Sequence, residues 1–597
     1  MKTLLSGNEA IARGAYEAGV TLAAGYPGTP STEILENIAA KYKEIIYAEW
    51  SPNEKVAFEV AAGASLAGAR VITTMKHVGL NVAADPLMTL SYLGVVGGFV
   101  AVVADDPGMH SSQNEQDTRH FARFAKIPIF DPSDSEEAKE FMKLAVQVSE
   151  EYCTPVILRS TTRVSHSRSV VEENPRQESQ KSINFEKNPP RFVPIPLWAR
   201  QMRVRVEERI QKLQLAGTNS PANKIIRQNK KLGIITSGIA YQYVREVFPN
   251  ASVLKLGLPF PFPDELIKTF AASVEQLVVI EELEDFLEEH IKSLGISCIG
   301  KSVIPKIGEL SPDVLFERKN LIEGNNSNNS NESNKGNKSN NKIIAHQPEH
   351  QNTLPELPGR PPVLCPGCPH RGIFYALGRF DVIVTGDIGC YSLGVFPPLS
   401  RLDTILCMGG GISLAHGMDK AGNPKKIVGM VGDSTFFHSG MTGLLDIAYN
   451  KGDSTVIVVD NRITAMTGHQ DNPGSGKTLM GETTNEASIE EIGKACGIKN
   501  VRTVDPRDFK TVIPVLKEAT ESSEAWLIVS KAPCPLHLRQ ALGQPLRVIE
   551  EQCRKCNACL KLGCPGLEKI GNQIHINEYL CAGCDLCKNV CPAKAIC

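Results

Sequence analysis

Residues 426–461 read KIVGMVGDSTFFHSGMTGLLDIAYNKGDSTVIVVDN. Two apolar runs, IVGMV at 427–431 and STVIVV at 454–459, are separated by one helix-sized stretch. Short continuous apolar runs of this kind fit strands covered on both faces, and the stretch between them fits the crossover of a parallel pair. The first strand delivers Gly432, Asp433 and Ser434 at its carboxyl end, and the second delivers Asp460 and Asn461. In an open parallel sheet, adjacent strand ends set such residues side by side where ligands bind. Gly432 lets a diphosphate approach the backbone. A carboxylate and an amide oxygen suit octahedral Mg²⁺, which takes few protein ligands and completes its shell with phosphate oxygens.

The same grammar extends outward. DVIVTG, TILCMGG and WLIVSK complete a strand set over residues 346–545. VTLAAG, VITTM, GGFVAVVA and PVILRS form another over 1–165, with a helix expected after Pro30 and Ser31. A smaller α/β unit spans 231–322, with LGIITSG, SVLKLG and QLVVIEE as its strands. Residues 166–230 read as a connector carrying an exposed helix from Arg200 to Leu215. The stretch GNNSNNSNESNKGNKSNN, 324–341, lies in an Asn/Ser-rich linker over 323–345 whose composition cannot bury enough apolar surface to offset its ordering entropy. The expected fold is therefore multidomain α/β, with doubly wound parallel sheets, ending in a small α+β domain over 546–597.

Composition narrows the function classes. A chain of 597 residues with 42% hydrophobic and 22% charged content is too long for one core. A formal net charge of −2 without a long basic stripe leaves a nucleic-acid footprint no electrostatic basis. The longest mainly apolar run, Tyr92 to Ala104, is broken by glycines and falls short of the roughly 20 residues of a membrane span. It reads as a buried strand. The N-terminal residues turn into an amphipathic helical pattern with no long apolar leader, so a cytoplasmic location is expected.

Cysteine spacing supplies the redox chemistry. Cys553, Cys556, Cys559 and Cys564, the last followed by Pro565, form one run; Cys581, Cys584, Cys587 and Cys591, the last followed by Pro592, form a second. Two CxxCxxC runs with trailing CP exceed what tetrahedral zinc uses and match a bis-4Fe-4S ferredoxin module. In two-cluster ferredoxins the fourth cysteine of each run ligates the other cluster. The expected sets are thus Cys553, Cys556, Cys559 with Cys591, and Cys581, Cys584, Cys587 with Cys564. The first run departs from the usual form, with four residues before its CP instead of three. Cys597 reads as a bystander. Thiolate ligands require a reducing compartment.

The pair of GDS and DN, with Asn461 28 positions after Asp433, resembles the thiamine-diphosphate signature, with Ser434 where a glycine is usual. That resemblance implies metal binding by Asp433, Asn461 and the Ile463 carbonyl. It also implies a carboxylate from a second domain facing N1′ of the aminopyrimidine. NEKVAFEVAAGASLAGAR, 53–70, offers Glu54 and Glu59; Glu54 is preferred because eight residues separate it from GASLAGAR, as in 2-oxoacid:ferredoxin oxidoreductases. YPGTPSTE, 26–33, looks like the substrate-side loop of that superfamily, with Thr29 at its threonine. With CPGCPHRG at 365–372 and GDIGCYSLG at 386–394, the ordered set resembles the α subunits of indolepyruvate:ferredoxin oxidoreductases.

The resemblance implies oxidative decarboxylation of arylpyruvates with coenzyme A to aryl-acetyl-CoA and CO₂, with electrons passed singly to ferredoxin. It also implies a smaller β subunit, in a heterodimer that dimerises again. Cys365, Cys368, Cys390 and Cys534 correspond in motif context to a proximal 4Fe-4S site of related β subunits, which makes a third cluster a hypothesis. His370, Asp387 and His416 lie near these motifs and could face the cofactor, but a lone His in a packed α/β domain is more often structural, and none is assigned a catalytic role. The alternatives are another 2-oxoacid substrate, a non-oxidative thiamine-diphosphate decarboxylase, and an electron-transfer subunit with degenerate thiamine domains.

Overall fold

The computed structural model describes residues 1–323, 362–539 and 541–597. The Asn/Ser-rich stretch and the first residues of the unit expected from 346 lie outside them.

The first sheet has six parallel strands in the spatial order Tyr47–Trp50, Leu22–Gly25, Val71–Lys76, Phe99–Asp105, Val156–Thr161, Ile129–Phe130. Its three long strands are buried along their whole length, as expected for strands covered by helices on both faces. Helices Gly7–Glu17 and Ser135–Tyr152 pack together on one face. Helix Glu54–Leu66 covers the other, and every residue from Val56 to Leu66 in it is buried. A helix apolar all round belongs in an interior. Asn53 caps it, its side chain accepting from the Val56 amide at 2.9 Å.

The apolar run from Tyr92 divides: Tyr92 and Leu93 close helix Ala84–Leu93, Gly94 stops it with φ +73°, and the strand begins at Phe99. Apolar composition could not separate a buried helix end from a buried strand. Within 166–230, strand Arg168–Glu172 pairs antiparallel with Lys2–Ser6, and Asn223–Ile226 adds an antiparallel edge to the second sheet. Between them runs helix Pro196–Thr218, with Pro196 at its first position and Met202, Val206 and Leu213 buried on one face. The second sheet is otherwise parallel, over Asn229–Thr236, Ala251–Leu256 and Gln276–Ile280.

The third sheet has six parallel strands in the order Thr404–Ile405, Ile383–Gly386, Ile427–Gly432, Thr455–Asp460, Trp526–Lys531, Asn500–Val504. Numbered by chain position within each sheet, the first and third sheets share one order, 2-1-3-4-6-5.

These two domains meet through helix Glu54–Leu66 and helix Gly410–Lys420. The backbones touch: a Cβ on Gly63 would lie 2.3 Å from the Leu414 carbonyl oxygen, and one on Gly417 would lie 1.9 Å from that of Val60. Only glycine permits this approach. Beside the crossing, buried His416 Nε2 sits 3.1 Å from Glu49 Oε2, and Tyr47 donates to the same carboxylate oxygen at 2.6 Å. The tail domain carries the antiparallel pair Leu567–Ile570 and Gln573–Ile576 and packs onto the third domain through Tyr375 and Phe509.

Candidate active site

Strands Ile427–Gly432 and Thr455–Asp460 are neighbours in parallel register, Gly432 opposite Val459, so Asp433 and Asn461 leave the sheet side by side. Asp433 is buried, and its Oδ2 accepts one hydrogen bond from Asn472 Nδ2 at 3.1 Å. Burial, and then the charge of Asp460, push the Asp433 carboxyl up to about 7. Asn461 Oδ1 accepts from the Ile463 amide at 3.2 Å, curling the chain so that Ile463 also faces the site. Thr464 Oγ1 donates to Ser434 Oγ at 3.0 Å, stitching the two strand-end loops together. Asp433, Ser434, Asn461, Ile463 and Thr464 line one cavity with Gly432, His370, Cys390, Tyr391 and Met408. A buried carboxylate whose pKa is pushed up in this way suits a cation.

Asn472, Tyr391 and Met408 are not individually singled out by the sequence, whereas Asp387 is. Asp387 is buried and accepts from the amides of Ile388 and Gly409, tying the 386–394 turn to the start of helix Gly410–Lys420. Burial raises its carboxyl well above the usual range. His370 is buried, held neutral by burial that lowers it to about 4, and meets Tyr391 edge-on at 6.1 Å. The only local signal for Asn472 is its place in a polar Asn-Pro-Gly turn, which does not reveal its partner.

The cavity is built by the third domain alone; neither Glu54 nor Thr29 lines it. Glu54 stands in the first turn of its helix, half-buried against Gly79, where a Cβ would lie 2.6 Å from its carboxylate. Burial raises its pKa. The next residue, Lys55, reaches the rim, donating to the Met408 carbonyl at 2.9 Å. Glu59 is buried and committed: it pairs with Lys55 and accepts from Cys407 Sγ at 3.0 Å. Thr29 lies on the loop after strand Leu22–Gly25, and its carbonyl accepts from Ser111 Oγ at 3.4 Å.

Cys365, Cys368, Cys390 and Cys534 come from three separate loops of the third domain and share one electrostatic neighbourhood. Cys390 feels Cys365, Cys534 and Asp433; Cys368 feels Cys365 and Cys390. Burial pushes the Cys368 thiol up to about 12. The Cys534 amide donates to the Asn461 carbonyl at 3.1 Å, which ties this set to the carboxyl end of strand Thr455–Asp460.

The tail places its cysteines around two cavities. Cys553, Cys556, Cys559 and Cys591 line one. Cys564, Cys581, Cys584 and Cys587 line the other. The four-residue spacing before Cys564 is taken up by a 3₁₀ turn over Cys559–Leu562 and by Gly563 at φ +64°. The Cys597 thiol is exposed, and its backbone pairs with Arg547. Among the described residues, no helix is long and apolar enough to cross a membrane.

The family described as pyruvate flavodoxin/ferredoxin oxidoreductase, thiamine diphosphate-binding, matches residues 13–215. The C-terminal TPP-binding domain of thiamine pyrophosphate enzymes matches 387–530. The chain is 41% identical, over its whole length and 97% of the relative, to indolepyruvate oxidoreductase subunit IorA of Methanothermobacter marburgensis. It belongs to the IorA family of indolepyruvate oxidoreductase subunits. The IorA of Pyrococcus abyssi is likewise 41% identical, over all of this chain and 96% of its own. The 2-oxoglutarate synthase subunit KorA of M. marburgensis is 24% identical and covers 51% of the chain and 94% of itself. The protein is thus an oxidoreductase of the 2-oxoacid:ferredoxin type, built on thiamine-diphosphate-binding domains, that catalyses oxidative decarboxylation of 2-oxoacids.

Proposed function

We propose that this IorA-family chain, with a smaller β subunit, converts arylpyruvates such as indolepyruvate, with coenzyme A, into aryl-acetyl-CoA and CO₂, and passes the two electrons singly to ferredoxin. The observation that carries this reading is the meeting, on one domain, of a buried acid-and-amide pair at adjacent strand ends and a cysteine route leading away from it. Asp433, Asn461 and the Ile463 carbonyl hold Mg²⁺, with Gly432 and Ser434 against the diphosphate. Thiamine diphosphate supplies the carbon nucleophile and the electron sink for decarboxylation.

Glu54 is the acid assigned to N1′, since burial raises the pKa of its half-buried carboxyl and so favours its holding a proton, whereas Glu59 is locked in an ion pair. Thr29 belongs to the substrate side. Two 4Fe-4S clusters occupy the tail cavities, and Cys365, Cys368, Cys390 and Cys534 hold a third. The sensitivity of such ligands to oxidation places the protein in a reducing cytoplasm.

The deciding experiment is dye reduction by the complex with indolepyruvate, phenylpyruvate and pyruvate, each with and without coenzyme A. Arylpyruvate preference with strict dependence on coenzyme A is expected. A pyruvate preference would overturn the substrate assignment, and coenzyme A-independent CO₂ release without dye reduction would replace it with non-oxidative decarboxylation.

A further inference from the structure

Arg371 is buried, 2% exposed, in the wall between the third domain and the tail. Its guanidinium donates only to backbone carbonyls. Nη1 reaches Leu562 at 3.0 Å and Gly563 at 2.6 Å; Nε and Nη2 reach Cys365 at 3.4 and 3.3 Å, and Nη2 also reaches Leu364. One fork therefore clasps the CPGC loop and the turn that leads into Cys564. Among the described residues no carboxylate pairs with it. A buried cation without a counter-charge is costly. The titratable groups that act on it are the thiols of Cys564, Cys368, Cys365 and Cys584, which become anionic as thiolate ligands of a cluster.

The surrounding packing is equally one-sided. Gly367, in the CPGC loop, lines the Cys564 cavity together with Arg371, and a Cβ on it would lie 2.7 Å from Ala582. The Cys553 cavity is lined by tail residues alone, from Val548 to Ile596.

We propose that Arg371 is a positioning residue and fixed counter-charge joining the third-domain cysteine set to the cluster held by Cys564, Cys581, Cys584 and Cys587. That cluster is the inner of the two in the tail, and Arg371 holds its reduction potential up. The inference rests on the cluster reading above. Each transfer takes one electron from the third-domain set and adds one to the inner cluster; the outer cluster, at Cys553, Cys556, Cys559 and Cys591, then accepts it. A positive charge beside a cluster favours its reduced, more negative form.

The test is an anaerobic redox titration of the full-length protein carrying its clusters, followed by EPR, with iron analysis of every sample. The Arg371→Gln and Arg371→Lys variants are compared, and Cys581→Ala identifies the inner signal. In Arg371→Gln, the reduction equilibrium of the inner cluster is expected to fall about tenfold, or 59 mV for one electron, while the outer cluster stays put. Arg371→Lys, which keeps the charge but not the fork, should keep the inner potential near that of the unaltered protein. Selective loss of the inner cluster's roughly four irons in either variant also supports the joining role. Unmoved potentials with iron intact, an equal shift in both variants, or loss of iron from both tail clusters would overturn it. A protein without tail iron before any substitution would overturn the cluster reading as well.

Discussion

The first and third sheets share one strand order, yet the same two strand ends do opposite things. In the third sheet the third and fourth strands end at Gly432–Asp433 and Asp460–Asn461; in the first they end at Lys76–His77 and Asp105–Asp106. Asp106 is satisfied by its own chain. It accepts from the Ser111 amide at 2.8 Å, Ser112 Oγ at 2.5 Å and Thr162 Oγ1 at 2.7 Å, with Lys76 at 3.8 Å. Burial works to raise its pKa, but these partners outweigh it and hold the carboxyl down at about 2. Asp105 is bound by Arg159 Nε at 2.7 Å. Asp433 is pushed the other way, because burial and the like charge of Asp460 outweigh Asn472 and the backbone amides of Ser434 and Asp433. One topology therefore makes an end at which Asp106 is self-neutralised and an end at which Asp433 is not, since the cations there, Arg462 at 3.9 Å and Lys531 at 3.8 Å, face Asp460 instead.

The contrast breaks most sharply at Asp433. Asp433→Ala should cut 2-oxoacid-dependent dye reduction by roughly a thousandfold, as expected for loss of a metal ligand, with the iron content unchanged. A variant of near-normal rate would end the metal assignment and revive the reading of degenerate thiamine domains. Next is the contribution of the first domain. Glu54→Gln should lower kcat by about a hundredfold or more with the fold intact, whereas Glu59→Gln should act mainly on thermal stability by leaving Lys55 unpaired. The reverse pattern would exchange their roles.

Cys390→Ser asks whether the third sheet's end also holds iron. Content should fall from about twelve to about eight irons per chain; a count of about eight before the substitution would remove the third cluster. The smallest effect is expected at the self-neutralised end. Asp106→Asn should cost about 2 kcal/mol of stability while leaving kcat nearly unchanged. Because the folded pKa of Asp106 is depressed, its contribution is present above about 3.8 and is lost as pH falls through about 2. The variant should therefore have a flatter acid limb in a pH–stability titration, and an unchanged limb would refute the account of Asp106.

Legibility followed the location of each partner. The buried strands Val71–Lys76, Ile427–Gly432 and Thr455–Asp460 were readable as apolar runs because both of their faces are covered. Tyr47–Trp50 and Asn500–Val504 are sheet edges with partly exposed patterns, so no continuous apolar run marks them. The tail runs were readable because the triplets are adjacent in the chain. Asn472 was not, because its interaction crosses 39 positions.

The chain's own order of residues determined the α/β class, the GDS and DN strand ends, the two tail cysteine runs and the family. Periodicity, strand ends and ligand spacing are local, and three or four neighbouring residues suffice to express them. Only the tertiary structure decided that two sheets share one topology, that Asp106 is neutralised while Asp433 is not, and that Arg371 clasps two cysteine neighbourhoods at once. Each of these is a balance of burial against charge among groups tens to hundreds of residues apart, and that balance exists only once folding has removed the water between them.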